Sequence, residues 1–164
     1  MTPRYTEDRL PTAYHEAGHA VVDHDHGWPP LRVTIVPDHK RGSEGSSQGE
    51  DDYVSRLGGE SHTEEDARAA VEGCVVGYYA GLEAERLVDP GANALGAADD
   101  YEKARGLAEI MGLDDGDLGA LHQRAADHVA RRRDAIDRLA RTLLVHGTLD
   151  SLEVEEVIDG TPRR

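Results

Sequence analysis

Gly73, Gly77 and Gly81 recur every fourth residue inside an apolar stretch, and this row narrows the possible folds more than any other feature. Around it Ala67, Ala70, Val71, Cys74, Val75, Tyr78, Tyr79 and Leu82 keep the helical period, which predicts a helix from Thr63 to about Val88. Thr63 opens that helix, with Asp66 three residues on as its capping-box partner. A glycine in mid-helix costs roughly 1 kcal/mol against alanine. A row of them therefore predicts a second helix pressed against this one. The fold class expected is mainly α.

Composition bounds the rest. Phe is absent and aromatics make up only 4% of the 164 residues, so the core of this single domain must come from Ala, Val, Leu and Ile. A net charge of -15 argues against nucleic acid as a partner. Cys74 is the one cysteine, so no internal disulfide can form, and a reducing cytoplasm fits. Met1 to Leu10 lacks the apolar run of a signal peptide, and the longest apolar run, Cys74 to Leu82, is too short to span a bilayer. No G-x-x-x-x-G-K-[ST] occurs, so no ATP site is recognisable.

Chemistry is concentrated in Ala13 to Val22, which contains His15-Glu16-Ala17-Gly18-His19. Pro11 suits a first helical turn, and Gly27 with Pro29-Pro30 stops the helix after about His26. Residues four apart on a helix lie one turn above each other, so the two imidazoles project side by side and can share one zinc ion. Glu16 then stands beside the metal as a carboxylate able to take a proton from water. Asp23, His24, Asp25 and His26 read as a polar helix end in water. Val22 and Asp25 occupy the positions where a metzincin has its glycine and third ligand, which excludes that arrangement.

Leu31 to Val36 alternates and is β-branched, predicting a strand whose edge can pair with an extended peptide beside the zinc helix. Asp38 to Glu60 reads as a flexible loop with a short strand around Tyr53 to Leu57. A third helix begins at Gly96 to Asp100, and a fourth runs from about Asp117 to His146, with Arg131 to Arg133 as a solvated face. A last helix, capped around Asp150, ends at Ile158. The organisation expected is a flexible N-terminus (1–10), one domain (11–160, with 38–60 as its loop) and a tail (161–164).

Catalytic zinc takes three protein ligands and keeps one position open. Spacing leaves four candidates for the third: Glu83, Glu85, Asp99 and Asp100.

Several stretches together resemble the peptidase domain of the FtsH family of ATP-dependent zinc proteases, the M41 peptidases. They are Tyr14 to Val21, Val33 to Pro37, Ala80 to Glu85, Gly96 to Asp100, and Leu139 to Leu144 leading to Thr148-Leu149-Asp150, in that family's order. The resemblance implies a helical, zincin-like peptidase domain with a small β element beside the zinc helix. It implies His15, His19 and Asp100 as zinc ligands and Glu16 as the catalytic carboxylate, with Glu85 and Asp99 in supporting positions behind the ligands. The activity implied is a zinc-dependent metalloendopeptidase, with Glu16 assisting the attack of a zinc-activated water. FtsH proteins carry transmembrane helices and an ATPase ring ahead of this domain, and neither is expected here. The substrate expected is then a peptide or already unfolded protein, with a separate ATPase or a regulatory protein as partner. The alternative is a catalytically weak or inactive zinc-binding module that docks a partner protein. A helical interaction protein with a fortuitous motif is the third reading.

Overall fold

Two antiparallel helices form the spine of the molecule, and their contact accounts for the glycine row. The computed structural model describes residues 7–40, 42–48, 63–95 and 97–161. A 3-10 turn, Glu7–Arg9, leads into α1 (Leu10–Asp25), and α2 spans Glu64–Glu85. A β-carbon on Gly81 would collide with His19 of α1, and one on Gly77 with the Asp23 carboxylate. One on Gly73 would meet the Trp28 ring at 3.1 Å, beyond the end of α1. In the other direction, a β-carbon on Gly18 would come within 2.5 Å of the Ala80 carbonyl oxygen and the Ala84 β-carbon.

Close backbone approach is how a chain without Phe packs two helices tightly. Ala13, Ala17, Ala20, Val21 and Val22 of α1 and Val75, Val76, Ala80, Leu82 and Ala84 of α2 are all buried. Burying one Val or Leu side chain contributes about 1.5–3 kcal/mol, which outweighs roughly 1 kcal/mol for a helical glycine.

Local signals set most helix ends. Pro11 sits in the first turn of α1, where a missing N–H costs nothing, and Gly27 leaves the helix with φ 85°. Thr63 and Asp66 form the reciprocal capping box expected of them. Then come α3 (Ala98–Met111), α4 (Asp115–Arg131), α5 (Arg133–His146) and α6 (Ser151–Asp159). The single helix expected from Asp117 to His146 is two helices, broken at Arg132 (φ -104°, ψ 15°). The break lets α4 pack on α2 while α5 packs on α1. Arg131 and Arg133 are exposed as expected, while Arg132, partly exposed, donates from Nε to Asp25 Oδ2 at 2.8 Å.

Three short strands complete the fold: β1 (Arg32–Thr34), β2 (Ser46–Gln48) and β3 (Thr148–Asp150), in the antiparallel order β2-β1-β3. Val33 pairs with Ser47 on one side and Leu149 on the other. The strand expected at Leu31 to Val36 is thus shorter and central. Both its edges are occupied, so it cannot accept a peptide. β2 lies within the stretch read as loop, while the strand expected at Tyr53 to Leu57 lies outside the described residues. Of residues 1–10, read as a flexible N-terminus, Glu7–Arg9 form the 3-10 turn and Leu10 starts α1, and Arg9 bonds into the segment after β1. Among the described residues no helix is long and apolar enough to cross a membrane.

Candidate metal centre

His15 and His19 meet edge to face, with ring centroids 4.8 Å apart and their Nε2 atoms separated by 3.1 Å. The third corner comes from the first turn of α3, where Asp100 Oδ2 lies 3.0 Å from His15 Nε2 and 3.3 Å from His19 Nε2. A tetrahedral zinc with bonds of about 2.0–2.1 Å spaces its ligand atoms about 3.3 Å apart. The observed triangle has that size. Among the described residues this is the one group of three His, Cys, Asp or Glu ligand atoms close enough to hold a metal.

The other ring nitrogens are fixed from behind. His19 Nδ1 lies 2.8 Å from the Gly77 carbonyl oxygen, which can only accept, so Nδ1 carries the proton and Nε2 turns its lone pair to the centre. His15 Nδ1 donates in the same way to Glu85 Oε2 at 2.9 Å. Gly81 supplies the space. A β-carbon there would collide with His19 Nε2 and stand 2.8 Å from His15 Nε2, so a hydrogen at this position leaves the cradle open.

Electrostatics favour a cation here. Burial opposes charging the His15 imidazole, yet Asp100 and Glu85 outweigh it and raise the ring to about 10. Burial likewise opposes a charge on His19, and Asp100 again lifts it. Burial works against the Asp100 carboxylate, but the two imidazoles hold it well below the usual range. Two ring nitrogens 3.1 Å apart have no room for a proton each along the line between them, whereas one cation can take both lone pairs. The donor set fits zinc. Glu16 is 7% exposed, and burial pushes its carboxyl up against the opposing pull of His19 and His15. One turn beyond His19, burial against Gly77 raises the Asp23 carboxyl to about 7.

Of the four acids that spacing left open, Asp100 joins the imidazoles and Glu85 stands behind His15. Glu83 turns elsewhere, to His122 Nε2 at 2.7 Å and Arg86 Nη1 at 2.6 Å. Asp99 is 79% exposed and pairs with Lys103 at 2.7 Å, away from the ligand atoms. His24 and His26 lie at the far end of α1, where His26 stacks on Trp28 rather than facing water. Gly81, the Gly77 carbonyl and Gly45, whose β-carbon would stand 2.9 Å from Glu16 Oε1, were not anticipated as parts of the site. For the first two the signal is the glycine row, which marks both the close helix contact and the hollow at the site.

Fold and site together define a helical domain with a two-histidine, one-carboxylate centre on an H-E-x-x-H helix. Along 94% of its length the chain is similar to the ATP-dependent zinc metalloprotease FtsH 1 of Symbiobacterium thermophilum, with 35% identity over 190 aligned residues. The chain spans only 30% of that protein's length. No family model matches the chain. The similarity supports an FtsH-related domain.

Proposed function

We propose that the domain is a zinc-dependent metalloendopeptidase acting on peptides or unfolded protein segments. The observation that carries this reading is the triangle of His15, His19 and Asp100 beside the carboxylate-bearing Glu16. A bound zinc ion supplies Lewis acidity, lowering the pKa of water and polarising a peptide carbonyl. Glu16 takes a proton from the attacking water and returns it to the leaving amine. Glu85 and the Gly77 carbonyl keep the imidazole lone pairs aimed. Among the described residues β2 has one partner strand, β1, so its outer edge is where an extended substrate would pair. Unfolding of folded substrates would be the work of an ATPase, for which these 164 residues carry no recognisable nucleotide motif.

Zinc content and casein cleavage without ATP test the reading. The dialysed protein is expected to hold about one zinc per chain, and Asp100→Ala to lose it. Glu16→Gln is expected to keep the zinc and lose turnover by about 10²–10⁴-fold. Zinc without cleavage by the native chain would favour the partner-docking module. A native chain that takes up no zinc would overturn both.

A further inference from the structure

Glu16 is covered on one side by the arm between β1 and β2, and the Arg9 side chain bonds to both ends of that arm. We propose that Arg9 is a positioning residue of the centre: its guanidinium pins the arm so that Gly45 stays seated on Glu16. The link to peptide hydrolysis rests on the function proposed above; the link between Arg9 and the cover of Glu16 does not.

Arg9 reaches both ends of the arm. Nη2 donates to the Ile35 carbonyl oxygen at 2.5 Å, just after β1, and also to the Glu44 carbonyl oxygen. Nη1 donates to Glu44 Oε2 at 2.5 Å. Within the arm, Asp38 and Ser43 exchange backbone hydrogen bonds, and the Ser43 hydroxyl donates to the Gly45 carbonyl. The residue that Arg9 grips is therefore followed directly by the one lying on the carboxylate. A β-carbon on Gly45 would stand 2.9 Å from Glu16 Oε1, 3.0 Å from Glu16 Cγ and 3.0 Å from Thr12 Cγ2. A larger residue there would force the Glu16 or Thr12 side chain, or the arm itself, to shift.

The chemistry of the clamp makes it releasable. Two of its three acceptors are main-chain carbonyls in fixed positions, which suits a planar guanidinium and not a lysine ammonium. The third is the Glu44 carboxylate, whose side chain is 70% exposed while that of Arg9 is 14% exposed. An ion pair with one partner in water is weakened by salt. The arm is thus held by bonds strong enough to order it, yet open enough to yield when a chain pairs along β2.

Amide hydrogen exchange and carbodiimide labelling of Glu16 test this on the full chain, with and without zinc. Arg9→Ala is expected to speed exchange of the Ser43 to Ser47 amides about tenfold or more and to raise Glu16 labelling severalfold. Exchange within α2 and zinc content should stay at native levels. Arg9→Lys should fall between, and Glu44→Gln should move both readouts the same way by a smaller factor. Native-like exchange and labelling in Arg9→Ala would overturn the proposal. Should Arg9→Ala fail to fold, Glu44→Gln at its exposed position decides, and unchanged readouts there would sink it equally. A chain that binds no zinc but shows the Arg9 effect would remove the peptidase reading and leave the clamp standing.

Discussion

On the first half of α1, His15 and His19 meet Asp100; at its other end, His24 and His26 lie among Asp25, His128 and Arg132. Both groups contain two histidines from α1 or its C-terminal cap and at least one aspartate, yet their geometries part. In the first, one carboxylate oxygen lies within 3.0–3.3 Å of two imidazole nitrogens that already face each other. In the second, Asp25 Oδ2 is shared by His128 Nε2 and Arg132 Nε, each at 2.8 Å, and Arg132 Nη2 donates to Oδ1 at 3.2 Å. The two rings diverge, His24 toward Asp159 and His26 onto Trp28 and His128. The facing helix makes the difference. Gly81 leaves a hollow opposite the first pair, whereas the hollow at Gly73 is filled by the Trp28 ring. Convergence of lone pairs on a vacant point makes a metal site, and the count of histidines does not.

The hardest test of this contrast is to fill the hollow. Gly81→Ala would put a methyl group where the two Nε2 lone pairs meet, and zinc affinity is expected to fall more than 100-fold, as it should in Asp100→Ala. Asp25→Asn, at the other cluster, should leave affinity within about twofold of native. Competition against a chromophoric chelator reads all three. Native-like affinity in Gly81→Ala would mean the cradle is not where the ion sits.

What was legible in the sequence follows the range of the physics. The zinc helix, the Thr63 and Asp150 caps and the stop at Gly27 depend on neighbours a few residues away, and all could be read locally. Whether Asp99 or Asp100 faces the histidines could not, because one step along a helix turns a side chain by about 100° and the packing of α3 on α2 decides which one points inward. Only the family resemblance pointed to Asp100. Arg132 has no glycine or proline beside it to announce a break; the gain lies in two tertiary contacts made by the flanking helices. Ser46-Ser47-Gln48 has no β-branched residue, and it is a strand because β1 offers it a ladder.

Acid should separate the two clusters, and in opposite directions. Burial, with His128 and Arg124 nearby, holds His26 below the usual histidine range, although Asp25 favours its charge. The unfolded chain then protonates first as pH falls below about 6.5, so the stability His26 lends is full above that pH and lost below it. His15 in the metal-free protein behaves inversely. Its stabilisation is full below about 6.5 and disappears as pH rises through about 10. In urea titrations of metal-free protein, His26→Phe, which keeps a ring against Trp28, should lose less stability than native between pH 7 and 5. Parallel losses would show that this end of α1 does not resist protonation.

The smallest effect is expected from the neighbour of Asp100. Asp99 and Lys103 form an exposed pair four residues apart on α3, a contact worth about 0.3–0.5 kcal/mol. Asp99 also favours the helix N-terminus by a similar amount. Asp99→Ala should therefore lower stability by less than about 1 kcal/mol and leave zinc affinity within about threefold, against the collapse expected for Asp100→Ala. The same chelator competition and urea titration measure both. A tenfold or greater loss of zinc affinity in Asp99→Ala would reinstate the supporting role that the family resemblance assigned to it. Such a loss would have to act through the first turn of α3, by letting Asp100 drift from its 3.0 Å approach to His15, because the Asp99 side chain itself faces away.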